Sequence, residues 1–153
     1  MLFDKNDFYA RTMHTPDTPQ RAALRGTLRE ISKILIPLHR RLIDATKDDY
    51  AFEVGPIGSP SQLLQLVTDA PFFAWLKPVT SLIVDIDEMA RTDFEATDAA
   101  AIAERLDRLF GAGADPAFAE RYVPLLQRDV DVTMGHAALR QAAQKLGKTQ
   151  AAP

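Results

Sequence analysis

The chain contains no cysteine. That excludes disulfides, thiolate metal sites and a cysteine nucleophile, and it suits a reducing compartment. Long apolar runs are missing as well. Charge or proline interrupts every stretch well short of the ~20 residues that a membrane-spanning helix needs. The opening stretch MLFDKNDFYARTMH carries acids and no apolar core, so no secretory leader and a cytoplasmic location are expected. Positive charge is not in excess: 18 Lys and Arg stand against 21 Asp and Glu, a net charge of -3. Nucleic-acid and anionic-membrane binding are therefore not expected.

Motifs that carry chemistry are also absent. The three histidines, His14, His39 and His136, do not pair with another His or a carboxylate at a recognisable metal spacing. There is no Glu-x-x-His, Gly-x-Ser-x-Gly, P-loop or Gly-x-Gly-x-x-Gly pattern. No catalytic residue, metal ligand or cofactor is expected on these grounds.

What is present is an Ala- and Leu-rich chain of 153 residues, 46% apolar and 25% charged, with 10 prolines. These proportions fit one globular domain with its own core. Proline inside a helix costs ~3 kcal/mol, so its positions are informative. Residues 1–18 read as an arm in which Phe3, Phe8 and Tyr9 can anchor to the body or to another subunit. A helical domain is expected over 19–146 and a frayed, disordered tail over 147–153.

Thr18 suits an N-cap and Pro19 the first helical position. Leu24, Leu28, Ile31, Leu35, Leu38 and Leu42 then recur at alternating steps of four and three, an a/d stripe. This predicts a first helix to about residue 48, kinked near Pro37. Residues 49–60 read as an apolar connecting loop that packs across the bundle. Ser59 and Gln62 are spaced as a capping box around Pro60, predicting a short helix to about Asp69. Pro71 restarts the chain. Phe72, Trp75 or Leu76, Val79, Ile83, Ile86 and Ala90 keep helical spacing to about Arg91, either with a kink at Pro78 or as a short helix over 71–76 followed by a long one. Thr97 is the expected cap of a helix that ends at Gly111 in the position favouring glycine. Asp115-Pro116 begins another, bent at Pro124, and a last helix falls near 131–145. The fold class is all-α: a proline-kinked bundle of four main helices plus one or two short ones.

Several residue groups can be read two ways. His39 beside Leu38 reads as a partly buried, hydrogen-bonded imidazole, and His136 as packing next to Gly135, which is small enough to let another helix approach. Asp85, Asp87 and Glu88 form an acidic group that can do acid/base work, or a solvated face on which Asp87 pairs with Arg91. Arg21, Arg25, Arg29 and Lys33 form a basic stripe. Segment 19–50 has seven basic residues against four acidic, a balance of +3, and segment 81–110 has three against eight, a balance of -5. Opposite charges of this kind favour two helices as neighbours or a complementary subunit surface. Phe72, Phe73 and Trp75, the only tryptophan, read as an aromatic plug under the 49–60 segment, or as a pocket wall or oligomer contact.

The runs Gly55-Pro56-Ile57-Gly58-Ser59-Pro60, Leu63-Leu64-Gln65-Leu66, Phe73-Ala74-Trp75-Leu76-Lys77-Pro78 and Ile86-Asp87-Glu88 resemble a family of small all-helical bacterial proteins of unknown function. Leu126-Gln127-Arg128-Asp129 and His136-Ala137-Ala138 share in the likeness. The resemblance implies a helical fold and a bacterial source, and it brings no activity with it.

Two functional expectations follow. The first is a non-enzymatic interaction module that self-associates or binds a protein partner. The second is a small-molecule-binding bundle or an enzyme with a site near Trp75, His39, Tyr50 and Asp87. Candidate ligand or interface residues are His39, Tyr50, Phe72, Phe73, Trp75 and Asp87. The three prolines inside helical patterns mark where cavities should lie.

Overall fold

The computed structural model describes residues 17–151, with side chains through Gly147. Phe3, Phe8, Tyr9 and His14 lie outside the described residues. Six α-helices and one 3₁₀ turn follow in order: α1 (Pro19–Glu53), α2 (Pro60–Asp69), the 3₁₀ turn (Pro71–Leu76), α3 (Lys77–Arg91), α4 (Ala96–Phe110), α5 (Pro116–Arg128) and α6 (Val130–Ala151). The all-α expectation holds, with five helices of thirteen residues or more instead of four.

α1 begins as its sequence dictates. The Thr18 hydroxyl accepts from the Arg21 amide at 3.1 Å, and Pro19 needs no partner in the first turn. The a/d stripe is the spine of the core: Leu24, Leu28, Ile31, Leu35, Leu38 and Leu42 are all at most 3% exposed. Burying each such side chain is worth about 1.5–3 kcal/mol. α6 lies against one side of this spine with Val132, Leu139, Ala142 and Leu146 buried. α3 lies against it with Val79, Leu82, Ile86 and Ala90. α4 and α5 pack on α6, and the 3₁₀ turn touches α1, α2, α3 and α5. A methyl added at Gly135 would stand 3.3 Å from Leu38 Cδ1, so glycine is what allows α6 to approach α1 this closely.

Several boundaries differ from the sequence reading. α1 runs on to Glu53, because nothing in 49–53 breaks a helix and the Val54 amide still reaches the Tyr50 carbonyl at 2.8 Å. The connection to α2 is correspondingly shorter. The expected packing of the apolar 49–60 segment is met in part: Tyr50 packs on Phe72 and Phe73 and Ile57 is half-buried, but Phe52 and Val54 are exposed. The Ser59 cap accepts from the Gln62 amide at 3.1 Å, but the Gln62 side chain reaches back to the Gly58 amide rather than to Ser59. α4 is capped at Glu95, not Thr97. The Asp98 carboxylate takes the Glu95 amide at 2.8 Å, a reciprocal contact that Thr97 cannot make from inside the helix. Gly111 ends α4 in extended backbone, not left-handed, where an added Cβ would displace only the side chains of Asp107 and Arg140. α6 continues through residues 147–151.

Pro78 is the second residue of α3, where its missing N–H costs nothing. The structure thus takes the second of the two expected forms, a short turn and then a long helix. Only Pro37 and Pro124 are truly interior. Each removes the donor for a carbonyl four residues back, Lys33 and Glu120, and all four residues are exposed, so water can satisfy the freed oxygen.

Candidate functional site

The aromatic residues singled out from sequence belong to one continuous run. Tyr50, near the end of α1, meets Phe72 edge-on at 5.4 Å between ring centroids and Phe73 at 5.9 Å. The tighter winding of the 3₁₀ turn sends Phe73 fully into the core and leaves Phe72 half-buried, the reverse of the helical-spacing expectation. Trp75 packs on Phe118 of α5 at 5.5 Å. The Arg121 guanidinium lies over both Phe72, at 4.9 Å, and Trp75, at 5.7 Å, joining the two halves of the cluster. The run continues through the stacked pair Phe118 and Tyr122 to Phe110 and His136. Trp75 Nε1 is buried without a hydrogen-bond partner, the sole such side-chain atom among the described residues.

Tyr122 and His136 were not linked in the sequence, because fourteen positions and a helix turn separate them. In the structure the phenol and His136 Nδ1 are 2.8 Å apart. Burial pushes the Tyr122 phenol well above its ordinary range, and burial with help from Arg140 holds His136 below its own. The phenol keeps its proton and shares this hydrogen bond with neutral His136. This ties α5 to α6.

His39 is half-buried and hydrogen-bonded. Its Nε2 lies 2.9 Å from Thr80 Oγ1, and that hydroxyl in turn donates to the Leu76 carbonyl. Thr80 is thus an acceptor, so His39 carries its proton on Nε2. Burial lowers its pKa. Asp87 is exposed on α3 and pairs with Arg91 at 3.0 Å, the expected i, i+4 contact. Asp85 pairs instead with Arg105 of α4 at 2.6 Å. His39 and Asp87 touch different partners, and neither lines any of the grooves described below. Tyr50, Phe72, Phe73 and Trp75 do come together.

The basic stripe of α1 is not uniform. Arg25 is 7% exposed. It holds Asp17 with two bonds of 2.7 and 3.0 Å and donates to the carbonyls of Ala90 and Thr92 at 2.8 and 2.9 Å. Its face also lies over Phe94. The hydrogen bond to Asp17 raises its pKa against the effect of burial. α1 and α3 are neighbours, as their opposite charges favour, and Arg25 joins them through main-chain oxygens. Other ion pairs join α1 to the far side of the bundle: Arg41 with Asp129, Asp49 with Arg128 and Glu30 with Lys145.

Two of the grooves lie where interior prolines predict them. One, bounded by Pro37, Ile36, Arg40 and Gly135, runs between α1 and α6. The other, beside Pro124, is lined by Phe72, Arg121, Arg128 and Glu53. A third, of about 380 Å³, lies between α3 and α4. Among the described residues, no group of three His, Asp or Glu side chains is placed to hold a metal ion, and no helix is long and apolar enough to cross a membrane. Comparison with protein-family models, curated proteins and solved structures finds no match.

Proposed function

We propose that this protein is a non-enzymatic interaction module that self-associates through the elbow between α1 and α2. The observation that carries the reading is the exposure of Phe52, at 92%, with Val54 and Leu64 also exposed at 62% and 68%. α2 buries none of its residues fully. Large apolar side chains gathered on one short stretch, rather than scattered singly, are what an interface core supplies. A second copy is the natural occupant, because the elbow can meet itself about a two-fold axis and a self-complementary patch needs no other partner. Light scattering on the full chain at rising concentration should give a mass that climbs above that of one chain. The paired substitution Phe52→Ser and Leu64→Ser should keep it at one chain. A constant monomer mass for the parent protein would overturn the proposal.

A second reading, a small-molecule site in the aromatic cluster, has one observation in its favour: the partnerless Trp75 Nε1 beside Arg121. A ligand bound there would raise thermal stability and change the emission of the single tryptophan. A metabolite screen in which neither signal moves would remove this reading.

A further inference from the structure

Arg121 is half-buried, and its guanidinium lies over the rings of Phe72 and Trp75. Among the described residues it makes no hydrogen bond or ion pair. The rings fix the plane of the guanidinium but use none of its N–H donors. By contrast, Arg41, Arg105 and Arg128 each hold a carboxylate from a distant part of the chain. The groove beside Pro124 that Arg121 lines also holds Glu53 and Glu120, which have no ion pair among the described residues either. Its third acid, Asp49, is taken by Arg128. The groove measures about 200 Å³, and its apolar surface is open: Phe72 is half-buried and Pro124 is exposed.

We propose that this groove binds a free α-amino acid with an apolar side chain. Its carboxylate meets Arg121, its ammonium meets the glutamates, and its side chain lies against Phe72 and Pro124. The inference rests on the reading of the aromatic cluster as a small-molecule site and names the class of ligand. Charge decides that class. A simple anion would meet Arg121 but face two unpaired carboxylates, and a simple cation would meet the carboxylates but face Arg121. A zwitterion sets each charge opposite its complement. Arg121 and the glutamates share the groove without touching, so a molecule with both charges on neighbouring atoms can bridge them. Arg121 is the stronger anchor, because a guanidinium already held flat by two rings presents a fork that a carboxylate takes with two bonds. The volume lies below the ~300–1,000 Å³ of sites for drug-sized ligands, so the ligand is small.

Trp75 is the single tryptophan and carries Arg121 on its ring, so its emission reports a ligand that draws on that guanidinium. Emission and thermal stability of the full chain are followed with three probes of one carbon skeleton: leucine, leucinamide, which lacks the carboxylate, and isocaproate, which lacks the ammonium. Leucine should move both signals to saturation, and each truncated probe should bind several-fold more weakly, as the loss of one partly exposed ion pair implies. Arg121→Gln should lower leucine to the affinity of leucinamide without weakening leucinamide itself. Glu53→Gln with Glu120→Gln should lower leucine toward isocaproate without weakening isocaproate. Both glutamates are exposed, so this second variant keeps its fold whatever Arg121→Gln does. Equal binding of the three probes, or leucine binding that neither variant weakens, would overturn the proposal. So would leucine that moves neither signal. If a purely anionic or cationic metabolite then moves both, the small-molecule reading stands and only the amino-acid class falls.

Discussion

α1 and α2 are both leucine-bearing helices that begin with a hydroxyl cap and a proline, yet their fates are opposite. The leucines of α1 are sealed between α3 and α6, whereas Leu64 of α2 faces solvent and Leu63 and Leu66 are half-buried. The difference is one of neighbours. α1 has long helices on two sides, and α2 touches chiefly the short 3₁₀ turn. Apolar periodicity alone states that a helix has a sticky face; which surface covers that face is decided by the rest of the chain. In α1 the face is internal structure; in α2 Leu63, Leu66 and Val67 pack on the edge of the core and Leu64 is left at the surface.

The sharpest way to break this contrast is to truncate both helices alike. Leu35→Ala should cost about 2–5 kcal/mol in denaturant unfolding, because it empties a fully buried site. Leu64→Ala should change monomer stability by no more than about 0.5 kcal/mol. Similar losses at the two sites would show that α2 is covered within the monomer. Next in size, Arg25→Ala should cost about 1–3 kcal/mol, since the buried carbonyl oxygen of Ala90 and the part-buried one of Thr92 lose their donor. A neutral result would mean that the α1–α3 junction does not need that bridge. Gly135→Leu should cost about 1–3 kcal/mol by forcing α6 off Leu38, and thermal melts would detect it.

The pH response comes below these. Burial holds His39 and His136 under the ordinary value of 6.5. On acidification the unfolded chain takes up these protons first. Stability is therefore full above about pH 6.5 and declines as the pH falls below it toward the native values. The double substitution His39→Gln and His136→Gln should flatten that decline in urea titrations. A decline of the same size in the variant would assign it to the carboxylates, of which Asp129, bonded by Arg41, is depressed. Smallest of all, Asp87→Ala should cost at most about 0.5 kcal/mol, since its pair with Arg91 is exposed.

Much of the architecture was legible because it rests on local rules. The Thr18 and Ser59 caps, the helix starts at Pro19, Pro60 and Pro116, and the buried face of α1 follow from spacing and cap chemistry. Boundaries failed where a break was read from composition instead of from a residue that stops a helix, as at 49–53. Residue type favours Thr97 as the cap, but the bond to the Glu95 amide needs Asp98 three residues later. The aromatic cluster was legible in part. Tyr50, Phe72, Phe73 and Trp75 were named, but Arg121, which spans two of their rings, carries no sequence signal because it comes from another helix. The same holds for Tyr122 with His136. Sites of this kind are made by helix crossings, and crossings are not written in periodicity.

An elbow that serves as an interface is shielded when chains associate, whereas a merely exposed one is not. Hydroxyl-radical footprinting resolved by mass spectrometry, on dilute and concentrated full-length protein, tests this most directly. Modification of Phe52 and Leu64 should fall with concentration, while Val130 and Met134, equally open on α6, keep their rates. Unchanged modification of Phe52 and Leu64 across the range would contradict the account.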